Sequence, residues 1–252
     1  MKTISKKALI AFCAVVFALI LGSCGTDNLP NDGNPSENPG NSNGNPTDNG
    51  NPSGNLPNNG NPDDQKPELE PVIGSGTYGD FEYDYGATTI MIKRYTGSGG
   101  AVSIPSTIDG KPVVAILDEV FYDYYNNTDK GLTSVTIPNS VTYIGREAFS
   151  LNQLTSVVIP NSVTFIGREA FSLNQLTSVT IPDSVTYIGF AAFIGNQLTS
   201  VTIGANVLFG NVSSFFIAFP GDFDTVYNNG GKQAGTYTCP TAGGNSTWSK
   251  AN

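Results

Sequence analysis

The sequence predicts a mainly β fold: a short solenoid of about five 22-residue turns, with β-hairpin caps, preceded by a disordered tether. Three observations predict it. A block of near-identical residues restarts at Leu132, Leu154 and Leu176, each time 22 residues on. The stretch from Thr26 to Pro71 has almost nothing apolar to bury, and the segments on either side of the repeats read as paired strands. A unit of this period cannot cover its own apolar side, so neighbouring copies must stack.

The chain opens with Lys2, Lys6 and Lys7, continues through an uncharged apolar run from Ala8 to Leu21, and then reads Leu21-Gly22-Ser23-Cys24. Residues 1–23 therefore read as a signal peptide whose apolar run is too short to span a bilayer. A cysteine directly after small residues resembles the bacterial lipobox. That resemblance implies lipidation of Cys24, which becomes the mature N-terminus. Each buried methylene of the acyl chains adds about 0.8 kcal/mol, so two or three chains hold a protein on a membrane. The expected location is the bacterial cell surface, anchored by lipid in the outer membrane.

Cleavage removes three of the 12 basic residues and none of the 21 acidic ones, moving the net charge from -9 to -12. Nucleic acid is not an expected partner of so acidic a chain. Cys13 leaves with the signal and Cys24 carries lipid, which leaves Cys239 as the sole thiol and no intramolecular disulfide. Histidine is absent, which excludes Ser-His-Asp and Cys-His nucleophile pairs and every imidazole metal site. No cofactor, metal or catalytic residue is expected.

Residues 24–71 are a linker rich in Asn, Pro, Gly, Asp and Ser, with the triplet Gly-Asn-Pro beginning at Gly33, Gly44, Gly50 and Gly60. Leu29, Leu56 and Leu69 cannot offset an ordering cost of roughly 1 to 2 kcal/mol per residue, so the segment is expected to be disordered. A Gly-rich coil of this length averages about 40 Å end to end.

Residues 102–219 carry the repeats. In the clearest copy, Val135 and Ile137 alternate with Thr136, which fits a strand with one face inward. Pro138 ends it, having no N–H for a ladder. Val141 and Ile144 are three apart, Gly145 permits a tight bend, and Arg146 to Phe149 read as one short helical turn. Stacking aligns Leu132, Leu154, Leu176 and Leu198 in one core column and Phe149, Phe171 and Phe193 in another. Asn152, Asn174 and Asn196 recur where a side-chain amide can bond the backbone of adjacent coils.

The flanks read as caps. In residues 72–101, Phe81-Glu82-Tyr83-Asp84-Tyr85 and Thr89-Ile90-Met91-Ile92 form a hairpin split by Gly86-Ala87. In residues 220–252, the run from Tyr227 to Tyr237 reads as a second hairpin with Trp248 packed on it, or else as a separate ligand loop.

The pattern Ile-Pro-x-Ser-Val-Thr-x-Ile-Gly-x-x-Ala-Phe resembles the BspA-like leucine-rich-repeat family of bacterial surface proteins. The resemblance implies adhesion to host extracellular proteins or other cells and assigns no catalytic residue. This array is short for that family.

An exposed strand face is the expected ligand site, lined by Thr133, Thr136, Thr155, Val158, Thr177, Thr180, Thr199 and Thr202, and its expected partner is an extracellular protein or glycan. Tyr143, Phe165 and Tyr187 form an alternative column. A carbohydrate-active enzyme would need paired carboxylates across a cleft. Glu147 and Glu169 instead recur beside Arg146 and Arg168, as solvated charge pairs do. The regular Thr columns also raise an ice- or crystal-binding surface, which Val158 interrupts.

Overall fold

In the computed structural model, the described residues are 66–123, 128–210, 217–242 and 247–251. The signal peptide, Cys24 and the linker up to residue 65 lie outside them. The described residues belong to one compact unit. Among the described residues no helix is long and apolar enough to cross a membrane.

The chain enters through a three-strand cap: β1 (Gly74–Tyr78), β2 (Phe81–Tyr85) and β3 (Ile90–Tyr95), all antiparallel. The expected hairpin is β2–β3. β1 is an additional strand, and its glycines leave little side chain to reveal it in the sequence. β4 (Gly100–Ser103), β5 (Thr107–Ile108) and β6 (Lys111–Ile116) follow, then a small hairpin, β7 (Tyr122–Asp123) with β8 (Thr128–Asp129). That hairpin is an insertion before β9 (Leu132–Thr136).

Each later coil contributes a short strand past its proline, or past Gly204 in the last: β10 (Tyr143–Ile144), β11 (Phe165–Ile166), β13 (Tyr187–Ile188) and β15 (Leu208–Phe209). These stack in parallel beside β6, and β6 pairs with β3, so the cap and the coils share one ladder. On the other side of the core, β9 pairs with β4, while β12 (Ser178–Ile181) pairs with β14 (Ser200–Ile203). The intervening coil keeps Leu154 and Ile159 buried without forming a regular strand there.

The C-terminal cap departs from the sequence expectation. Tyr227 belongs to a helix, α1 (Phe223–Asn229), and the hairpin is β16 (Gly235–Thr238) with β17 (Ser249–Lys250). The helix is favoured because it buries Phe223 and Tyr227 on one side, four residues apart. Trp248 meets Phe223 edge-on at 5.2 Å, and its Nε1–H donates to the Pro220 carbonyl at 2.9 Å. β16 then pairs with β14 and closes that edge.

The core is built of columns, one residue per coil. Leu132, Leu154, Leu176 and Leu198 are fully buried. Phe121, Phe149, Phe171, Phe193 and Phe219 form a continuous stack with centroids 5.0, 5.1, 5.4 and 4.8 Å apart. These spacings follow the strand separation of about 4.8 Å, so coil pitch, and not ring preference, fixes the geometry.

One local expectation is corrected. Residues 146–149 do not form a helical turn, because Glu147 takes a left-handed φ of 54°. Glu119, Glu169 and Ala191 do the same in their coils, at 60°, 54° and 57°. Gly145 and its equivalents are required by close approach: a Cβ on Gly167 would sit 2.6 Å from the Gly145 carbonyl carbon, and one on Gly189 2.4 Å from the Arg168 nitrogen.

Candidate functional site

A strand lying on a packed core turns alternate residues to solvent. In each repeat the inward pair is the Val135 and Ile137 position, so the outward pair is Ser134 and Thr136. The register extends this across coils. Ser103 lies beside Thr136 and Ala101 beside Ser134 in one pair of strands, and Ser178 beside Ser200 and Thr180 beside Thr202 in the other. Ser156 and Val158 occupy the same places in the second coil, where Val158 is 80% exposed.

The C-terminal cap prolongs both rows. β16 sets Thr236 against Thr202 and Thr238 against Ser200, with the two hydroxyls of Thr202 and Thr236 at 2.9 Å, and β17 adds Ser249 beside Thr238. The face therefore presents two rows of small side chains, mostly hydroxyls, and neither row contains a charged residue.

The eight residues expected on this face fall into two groups. Thr136, Val158, Thr180 and Thr202 form one of the outward rows. Thr133, Thr155, Thr177 and Thr199 make a separate column, with the last three at the bend that enters the strand segment. There the Thr199 N–H donates to the Thr177 carbonyl at 2.9 Å, which ties coil to coil. The serine row was missed, although period-two alternation about Val135 is its signal. The cap's contribution depends on cross-strand register, which no local pattern encodes.

The alternative aromatic column is not an exposed surface. Tyr143, Phe165 and Tyr187 are 3%, 6% and 4% exposed, and stack at 5.3 and 4.8 Å. They lie on the opposite face of the β10–β11–β13 ladder from Ile144, Ile166 and Ile188, in a second apolar cluster with Met91 and Ala115. Leu69 packs on this cluster, and the Lys66 ammonium sits 4.9 Å from the Tyr143 ring. Chain preceding the cap thus covers rings that the repeat alone leaves open.

A charged groove follows the left-handed turns, lined by Glu119, Arg146, Glu147, Arg168 and Glu169. Arg146 pairs with Glu119 and reaches Glu147 at 3.9 Å, while Arg168 pairs with Glu169 at 2.8 Å. In the next coil Phe190 replaces the arginine, and the Arg168 guanidinium lies 5.4 Å from its ring. Burial, and then repulsion from Glu169, push the Glu147 pKa up. Each of the three carboxylates thus lies beside an arginine.

Buried amides hold the coils that carry both features. Asn174 accepts the Leu154 N–H at 3.0 Å and donates to the carbonyls of Phe149 at 2.9 Å and Phe171 at 3.2 Å. Asn152 and Asn196 repeat this with their own neighbours.

A sequence profile described as BspA type Leucine rich repeat region matches residues 107–217 in 6 copies. No curated protein matches the chain. A leucine rich repeat protein of T. pallidum is 29% identical over 51% of this chain and 71% of its own, with a TM-score of 0.40. The pneumococcal vaccine antigen PcpA is 20% identical over 54% of this chain and 39% of its own, with a TM-score of 0.44. A leucine rich cell surface protein from Faecalibacterium prausnitzii A2-165 is 26% identical over 60% of this chain and 54% of its own, with a TM-score of 0.34.

Proposed function

We propose, from the premise that residues 107–217 are a BspA-type leucine-rich-repeat region, that the protein is a surface-displayed binding protein whose strand face takes up an extended protein or glycan ligand. The observation that carries this reading is the double row of small, uncharged side chains from Ser103 to Ser249. Such side chains contribute nothing to the core, so a partner meets them without disturbing packing. An uncharged face costs little to desolvate, and hydroxyls both donate and accept. Repetition at about 4.8 Å suits a partner that is itself extended.

Lipidation at Cys24 would hold the domain on a membrane, and the linker would lift it clear. Adhesion to a host matrix protein, another cell or a cell-wall glycan is the role we assign to this arrangement.

The test is a triple substitution, Thr136→Lys, Val158→Lys and Thr180→Lys. Matrix proteins and cell-wall glycans are first screened with the full chain. The variant should then keep the circular dichroism spectrum and lose binding to the ligand retained in the screen. Undiminished binding by a folded variant would move the site off this face.

A further inference from the structure

Five large apolar side chains are exposed among the described residues: Val72, Ile73, Tyr78, Val158 and Leu208. Three of the five lie on β1 or immediately before it. β1 is the end strand of its sheet, with β2 on one side and no strand on the other among the described residues.

A free strand edge offers a row of backbone donors and acceptors, and natural edge strands are usually protected by lysine or proline. Residues 72–79 read Val-Ile-Gly-Ser-Gly-Thr-Tyr-Gly, with no charged residue and no proline. At the C-terminal cap β16 and β17 cover the edge of β14, and the end strand β17 carries Lys250. The glycines of β1 have their own role, since a Cβ on Gly74 would lie 2.3 Å from the Tyr85 hydroxyl and one on Gly76 2.6 Å from that of Tyr83. The rings of β2 thus lie across β1, and Ser75 and Thr77 are its exposed, substitutable positions.

We propose that β1 is a self-association edge, at which two copies of this chain pair antiparallel about a two-fold axis and join their ladders into one sheet. A second copy is the occupant the observations favour. Antiparallel pairing of a strand with itself needs only one edge, because the two-fold axis supplies its complement. The chain carries a net charge of -9, so copies repel over most of their surface and meet at least cost along a segment without charge. Val72, Ile73 and Tyr78 would then be covered in both copies. One short strand pair buries less than the standard interface of about 1,600 Å², which fits association between copies concentrated on one surface.

Two measurements test this on the full chain. Purified protein at roughly 100 μM, above the micromolar Kd expected of a small interface, is sedimented with and without Ser75→Lys and Thr77→Lys. The unsubstituted chain should run as a dimer, and the lysine variant as a monomer with the same circular dichroism spectrum. In parallel, single cysteines at Ser75, Thr77 and the exposed Asn161 are oxidised in whole cells. A disulfide-linked dimer should form from Ser75→Cys or Thr77→Cys, and not from Asn161→Cys or the parent chain. A monomeric unsubstituted chain, a dimer that survives the lysines, or cross-links at β1 only to foreign proteins would each overturn the proposal. If the lysine variant fails to fold, the cysteine scan decides.

Discussion

Asn174 shows how much a single side chain carries in this fold. It is 5% exposed, and its two ends serve the backbone of its own coil and of the preceding one. Alanine there leaves the Leu154 N–H buried without a side-chain partner, while the Phe149 carbonyl keeps the Asn152 amide, and such a loss costs about 1 to 3 kcal/mol. Asn174→Ala should therefore lower stability by about 1 to 3 kcal/mol in urea denaturation. Asn174→Asp should do at least as much damage, because a carboxylate would face carbonyl oxygens in place of the amide donor. Thr180→Ala, on the exposed face, should stay within about 0.5 kcal/mol. Equal effects at the two positions would contradict the role given to the amides.

The elements differ in what holds them. The N-terminal cap is latched by Glu70, whose carboxylate accepts from the Thr88 N–H at 3.0 Å, the Thr89 N–H at 3.2 Å and the hydroxyls of both threonines. These bonds, led by the Thr88 hydroxyl, lower its pKa from 4.5 to about 2. The folded value lies below the unfolded one, so the stabilisation is fully present above pH 4.5 and is lost as the pH falls through about 2. Hydrogen exchange at the Thr88 and Thr89 amides should accelerate across that window beyond its intrinsic pH dependence, and Glu70→Gln should abolish the extra change. The coils are held by their neighbours alone. Deleting residues 154–175, a whole 22-residue copy, should leave a folded and shorter solenoid with a cooperative melt. Removing half that length should place polar residues in the Leu and Phe columns and unfold the array. Identical melts for the two deletions would refute independent stacking.

For the whole molecule, binding and anchoring are assigned to opposite parts of the chain. The strand face lies within the coils and their C-terminal cap, whereas Cys24 precedes the N-terminal cap by some fifty residues. Cys24→Ser should move the protein from the membrane fraction to the soluble one and remove incorporation of radioactive palmitate. Membrane retention without labelling would show that lipid is not the anchor. The same substitution should leave the thermal unfolding of the coils unchanged, because Cys24 belongs to neither the Leu nor the Phe column.

The sequence by itself determined the repeat, its period, and which residues form the core columns, since a 22-residue recurrence of Leu132, Ile144, Ala148 and Phe149 admits only stacking. It also marked Asn152, Asn174 and Asn196 as ties between coils. Only the tertiary structure decided what each outward-facing side chain meets. The Tyr143 column has the same periodicity whether exposed or buried, and it is buried because Leu69, far upstream, packs on its cluster. The left-handed turn at Glu147 was not legible because glutamate rarely adopts that backbone, and here coil-to-coil bonding imposes it: the Glu147 N–H donates to the Arg168 carbonyl at 2.9 Å. The serine row and its continuation through Thr238 and Ser249 join residues from three separate segments, brought together by strand register. Periodicity is a property of the local chain and survives in the sequence; coverage and register depend on distant segments, and only the fold supplies them.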